Sequence, residues 1–203
     1  MNSHGRGTCL APLRAAVLIG GQSRRMGEPK HLLQIAGRTF LERIVGALES
    51  NGIPVAVSGS GEIPSALKAI ERVPDAPGVE GTLSGIVGAL THDRQSAWLI
   101  VPCDVPLLGA AAIEWLIAQR EAGAVALMGR LRADELEPLP GVYEPGALTA
   151  VVQLAREGRA LRDLRTMSRV SAAWIPVTLR EGWRNINLRE DLRDLGGGGT
   201  LSR

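Results

Sequence analysis

AAVLIGGQSRRMGEPKHLL, residues 15–33, changes character at its middle: an apolar run stops at Gly20 and Gly21 and becomes a basic, glycine-punctuated loop. Residues 15–19 form a short aliphatic run, which suits a buried parallel strand feeding a turn at its carboxyl end. In open α/β sheets that end is where ligands bind. The two glycines allow close backbone approach, so that the main chain at Leu18, Ile19, Gly20 and Gly21 can converge on an anion or a base edge. Arg24, Arg25 and Lys30 then place three positive charges within seven residues, enough to face a triphosphate. Only Lys30 and Lys68 among the 23 basic residues are lysines, and a compact ammonium suits a point-charge contact to phosphate. The stretch therefore reads as a nucleotide-phosphate cradle, against the plainer reading of a polar surface loop after a strand.

Spacing excludes two better-known cradles. The nucleotide-triphosphatase loop needs Gly, four residues, then Gly-Lys-Ser/Thr, whereas Gly21 is followed by five residues, Gly27 and then Glu-Pro-Lys. Gly20, Gly21 and Gly27 do not form the G-x-G-x-x-G dinucleotide fingerprint either. The form L-x-G-G-x-S-x-R-M-G-x-x-K, residues 18–30, instead resembles the opening motif of the molybdenum cofactor guanylyltransferases, within the wider nucleotidyltransferases. Ile19 stands where that family most often has alanine, a change that leaves backbone contacts available.

The chain of 203 residues is 45% hydrophobic, enough for one sizeable core. A net charge of +2 is too small for a general nucleic-acid binder. A second basic cluster, Arg156, Arg159, Arg162 and Arg165, reads either as ligand contacts or as the solvated face of a helix. Cys9 and Cys103 lie far apart, as do His4, His31 and His92, so neither a disulfide framework nor a Cys-based zinc site is indicated. No apolar run reaches membrane-span length, and the expected setting is the reducing cytoplasm, with no membrane or nucleic-acid partner.

Alternating strand and helix signals predict a single-domain, three-layer α/β/α fold with a Rossmann-like, mostly parallel sheet, and the resemblance implies that it is of the nucleotide-diphospho-sugar transferase type. The domain is expected over residues 15–195, between flexible tails at 1–14 and 196–203. A helix is expected over residues 39–51, with Thr39 and Glu42 at capping-box spacing. A strand over 54–57 leads to the turn Ser58-Gly59-Ser60-Gly61, and residues 72–75 close a third strand. Residues 76–85 read as a second glycine-rich loop before a helix over 86–92. The unbroken apolar run 97–101 is the clearest central strand. It ends at Pro102-Cys103-Asp104, where a carboxylate past a buried strand end can either hold Mg²⁺ or cap a turn. Residues 110–120 and 148–157 read as helices, 124–128 as a strand, 135–143 as an irregular and antiparallel one, 159–167 as a short helix and 170–177 as the last strand. In Asn185-Ile186-Asn187, Asn187 either caps the following helix or touches substrate.

The resemblance runs from about residue 15 to 192 and implies roles for these positions. Asp104 would be the metal aspartate, and Arg25 and Lys30 would face the β- and γ-phosphates. Asp75, Gly81, Leu83 and Gly85 would contact the nucleotide, the last three in a G-x-L-x-G form where Thr82 replaces the family's usual proline. Ser58 stands where the family commonly has asparagine, and Asn185 and Asn187 would lie near the acceptor. The implied activity transfers GMP from GTP to molybdopterin, with Mg²⁺ as cofactor and other molybdenum cofactor or molybdoenzyme maturation proteins as further partners. A cytidylyl- or sugar-phosphate nucleotidyltransferase on the same fold is the nearest alternative, and a non-catalytic nucleotide-binding module the next.

Overall fold

The computed structural model describes residues 10–20, 28–188 and 190–192. Most of the two expected tails, and with them Gly21, Arg24 and Arg25, lie outside the described residues. The first strand, β1 (Leu13–Leu18), starts two residues before the expected domain boundary. A small hairpin, β2 (Gln34–Ile35) and β3 (Arg38–Thr39), precedes helix α1 (Phe40–Glu49). There follow β4 (Val55–Ser58), β5 (Glu71–Val73), α2 (Thr82–His92), β6 (Ala97–Pro102) and α3 (Ala110–Ala118). The chain continues with β7 (Ala126–Arg132), β8 (Glu135–Tyr143), α4 (Leu148–Arg156) and β9 (Val170–Trp174).

Seven strands form one sheet in the order β5-β4-β1-β6-β8-β7-β9. Only β8 runs antiparallel to its neighbours β6 and β7; the other pairings are parallel. The expected fold class is therefore the observed one, including the direction of residues 135–143. β6 explains why the sheet is covered on both sides. Ala97, Leu99 and Val101 join one core with α1 and α3, while Trp98 and Ile100 join the other with α2 and α4. A strand buried on both faces needs an unbroken apolar run, and AWLIV supplies it.

α1 begins where the capping box places it: Thr39 Oγ1 accepts from Glu42 N–H at 3.1 Å while Glu42 Oε2 accepts from Thr39 N–H at 2.8 Å. Phe40, Leu41, Ile44, Val45 and Leu48 are its buried face. α2 departs from expectation by starting at Thr82 rather than residue 86. Gly81, at φ 64°, turns the chain into the helix, and small Ser84 and Gly85 let its first turn lie against the sheet. β7 runs on to Arg132 because β8 pairs with it through two register shifts, whereas β9 ends at Trp174, before Pro176. The β2–β3 hairpin had no strong signal beyond Gly37, which sits at φ 76° after Ala36 at φ 50°.

Candidate active site

The carboxyl ends of β1, β4 and β6 open into a cavity of about 530 Å³. Leu18, Ile19 and Gly20 form its floor; Ser58 and Asp75 form one wall with Gly81 and Gly85; Lys30 and Asp104 form another. The β1 end is clamped between its neighbours, with Ile19 N–H donating to Ser58 O at 2.8 Å and Cys103 N–H to Leu18 O at 3.1 Å. Close backbone approach is built in here. A Cβ on Gly59, itself at φ 110°, would stand 2.0 Å from Ile19 O.

Lys30 and Asp104 meet although 74 residues separate them, with Nζ 3.3 Å from Asp104 Oδ2. Lys30 opens a short 3₁₀ turn (Lys30–Leu32) after Pro29, and Asp104 follows β6. Both side chains are largely but not fully buried, so the pair keeps access to solvent and ligand. Nζ also donates to Asn187 Oδ1 at 2.5 Å. Asn187 thus directs its side chain to the lysine, and it is Asp191 Oδ2 that accepts from Asn187 N–H and Leu188 N–H, both at 2.8 Å. The neighbouring Cys103 thiol is pushed up to about 12, by burial first and then by the Asp104 charge.

Across the cavity Ser58 Oγ donates to Asp75 Oδ1 at 2.7 Å. The loop carrying Asp75 is tied to α2 by Ala76 N–H donating to Ser84 O at 3.0 Å. Leu83 does not line the cavity; once α2 starts at Thr82, its side chain falls on the helix face packed against the apolar core. Asn185 is exposed and is not among the cavity's lining residues. Val79, Glu80, Thr82, Ser84, Pro102 and Cys103 also line it without having been candidate contacts, although Thr82 and Ser84 fall inside the G-x-L-x-G form and Pro102 and Cys103 directly precede Asp104.

The second arginine cluster lies elsewhere. Arg159 pairs with Glu157 at 3.2 Å, Arg162 and Arg165 border a separate cavity with Arg132, and Arg156 borders a third, behind residues 75–79. The solvated-face reading fits these positions better than contact with the central cavity.

Among the described residues no group of three or more His, Cys, Asp or Glu side chains could cage a metal ion. Asp104 offers a single carboxylate whose Oδ2 faces Lys30 and whose Oδ1 has no hydrogen-bond partner among the described residues. That donor set fits Mg²⁺, which takes one or two carboxylates and completes its shell with phosphate oxygens and water. No helix among the described residues is long and apolar enough to cross a membrane.

The family described as MobA-like NTP transferase domain matches residues 15–172. The chain is 32% identical over 197 residues to the molybdenum cofactor guanylyltransferase of Rhizobium meliloti, covering 88% of each chain. It is 30% identical over 184 residues to that of Xanthomonas euvesicatoria pv. vesicatoria, covering 90% of this chain and 94% of the relative. In fold it is similar to molybdopterin-guanine dinucleotide biosynthesis protein A from Archaeoglobus fulgidus, with a TM-score of 0.74 at 24% identity over 90% of this chain and 96% of the other. The chain belongs to the MobA-like NTP transferase family, among the molybdenum cofactor guanylyltransferases.

Proposed function

We propose that the protein transfers GMP from GTP to molybdopterin, with or without its molybdenum, giving the guanine dinucleotide form of the cofactor and pyrophosphate. The observation that carries this reading is the meeting of Lys30 and Asp104 at the ends of β1 and β6, facing Ser58 and Asp75 across one cavity. A phosphate oxygen of the acceptor attacks the α-phosphorus of GTP, a new P–O–P bridge forms, and the bond to the β-phosphate breaks as pyrophosphate leaves. The attacking phosphate monoester is already ionised near pH 7, so the site needs no strong general base. Catalysis then rests on placement and on offsetting charge.

The backbone at Leu18, Ile19, Gly20 and Gly21 holds the nucleotide, with Gly81 and Gly85 shaping the opposite wall. Asp75, oriented by Ser58, accepts from a donor on the base or ribose. Lys30 and Arg25 face the β- and γ-phosphates and stabilise departing pyrophosphate. Asp104 is the carboxylate that would hold Mg²⁺ with the phosphate oxygens. When bound, the ion supplies charge neutralisation at the transferring phosphoryl group.

The test is pyrophosphate release in the presence of Mg²⁺ and molybdopterin, with GTP, CTP and ATP in parallel. Release confined to GTP and lost in Asp104→Ala supports the reading. Turnover of CTP in its place would reassign the base, and binding without turnover of any triphosphate would point to a non-catalytic module.

A further inference from the structure

Lys30 carries its charge on a flexible four-carbon stem, so its usefulness depends on what aims it. Nζ has three donors. One is directed at Asp104 Oδ2 at 3.3 Å and one at Asn187 Oδ1 at 2.5 Å. The third has no hydrogen-bond partner among the described residues. Because an ammonium can only donate, the asparagine must present its oxygen here and not its amide nitrogen.

The segment that supplies this oxygen is fastened at three points. Ile186 is fully buried and packs with Leu33 and Phe40, just downstream of Lys30. Its N–H donates to Asp104 O at 2.8 Å, joining the arm to the loop after β6. Asp191 Oδ2 then gathers the N–H groups of Asn187 and Leu188, both at 2.8 Å, and fixes the turn from which the asparagine projects. Those two bonds, with the charges of Arg184 and Lys30 nearby, hold the Asp191 carboxyl below its ordinary range.

We propose that Asn187 and Asp191 are positioning residues for Lys30. Asn187 aims the ammonium, and Asp191 acts through Asn187 by holding its backbone. The choice of an amide has a chemical reason. Asp104 already offsets part of the ammonium charge; a neutral oxygen fixes the ammonium without offsetting more of it, whereas a second carboxylate in the same place would leave little for phosphate. Asn187 so assigned works on the nucleotide side of the reaction, not on the acceptor. That consequence for phosphate rests on the function proposed above; the aiming of Lys30 does not.

The two-lysine composition makes the aiming directly observable, since protein labelled with [ε-¹³C]lysine gives two side-chain methylene signals, assigned with Lys68→Arg. In the free protein the Lys30 signal is expected to be restricted and shifted from that of Lys68. Asn187→Ala and Asp191→Ala should move it to the values of a mobile lysine, and Asp191→Asn, which keeps an oxygen for the two N–H groups, should largely restore it. Asn187→Asp should leave the signal restricted yet raise the Kd for Mg·GTP about tenfold, a split that a merely structural role would not produce. Unchanged near-ultraviolet circular dichroism, a probe of the Phe40 and Trp183 surroundings, shows that the fold is intact. The proposal is overturned if the Lys30 signal is unmoved in both alanine variants, or if Asn187→Ala raises only the KM for molybdopterin. If instead the signal responds as expected but GTP does not bind the wild type, the aiming stands and the function proposed above fails.

Discussion

Ser58 Oγ donates to Asp75 Oδ1 across 2.7 Å from a position that is 1% exposed, so a buried hydroxyl orients a carboxylate that borders the cavity. The bond uses one oxygen of Asp75 and leaves the other without a side-chain partner among the described residues. Ser58→Ala should therefore weaken GTP capture while sparing the chemical step. A charge-assisted bond of about 1.5 kcal/mol corresponds to a KM for GTP roughly tenfold higher. Steady-state kinetics should show this with kcat nearly unchanged, whereas equal losses in kcat and kcat/KM would place Ser58 in the transition state.

Gly88 supports the same carboxylate from below. A Cβ there would lie 2.3 Å from Pro74 O and 3.4 Å from Ala76 N, on either side of Asp75. Because the obstruction is backbone, Gly88→Ala must displace residues 74–76. Overpacking of this kind costs about 1–3 kcal/mol. Urea denaturation should register that loss, and nucleotide titration should register weaker binding in the folded variant. Full-strength GTP binding by Gly88→Ala would show that the position of Asp75 is not critical.

The start of α1 gives a pH-dependent test remote from the cavity. Thr39→Ala removes one half of the capping box and should lower stability by about 1 kcal/mol at pH 7. The Glu42 carboxyl lies below its ordinary range because it accepts from the Thr39 backbone N–H and then from the Thr39 hydroxyl. A depressed folded value means that the ionised group stabilises the fold above its unfolded pKa and loses that contribution as pH falls through the folded one. The stability gap between wild type and Glu42→Gln should accordingly be full at neutral pH and close below about pH 4. A gap that stays constant down to pH 3 would mean that the carboxylate charge plays no part in the cap.

The Cys103 thiol, raised to about 12 by burial and then by Asp104, should be unreactive in the native protein. Cys103 is half-buried on the cavity lining, so the raised thiol and not inaccessibility sets its rate: in a Cys9→Ser background a disulfide-exchange reagent at pH 8 should label it far more slowly than it labels the urea-unfolded chain. Labelling of the native protein as fast as of the unfolded chain would contradict the suppressed thiolate beside Asp104.

Much of this arrangement could be read from the chain, and the exceptions have physical causes. The AWLIV run and the residues 15–19 announce central strands because burial on both faces leaves no polar position. Thr39 and Glu42 announce a helix start because the cap is a local, three-residue interaction. The G-x-L-x-G segment misled, because glycine and serine at Gly85 and Ser84 look like loop residues but serve as the close-packed first turn of α2. Leu83 consequently faces the core and not the cavity. The contact of Asn187 with Lys30 spans 157 residues, and no local spacing encodes such a meeting. Asp191 was hidden for a related reason: in the sequence it is one acid in a charged segment, and its two backbone partners appear only when the chain turns at Asn187.

In the proposed reaction the bond between the α- and β-phosphates of GTP breaks as the α-phosphate passes to the acceptor. The most direct measurement follows phosphorus label in separate reactions with α-³²P and γ-³²P GTP, Mg²⁺ and molybdopterin. The α-label should appear in the dinucleotide product while γ-label leaves entirely as pyrophosphate, and both events should disappear together in Asp104→Ala. Release of γ-label as inorganic phosphate, or recovery of α-label only as free GMP or GDP, would contradict it.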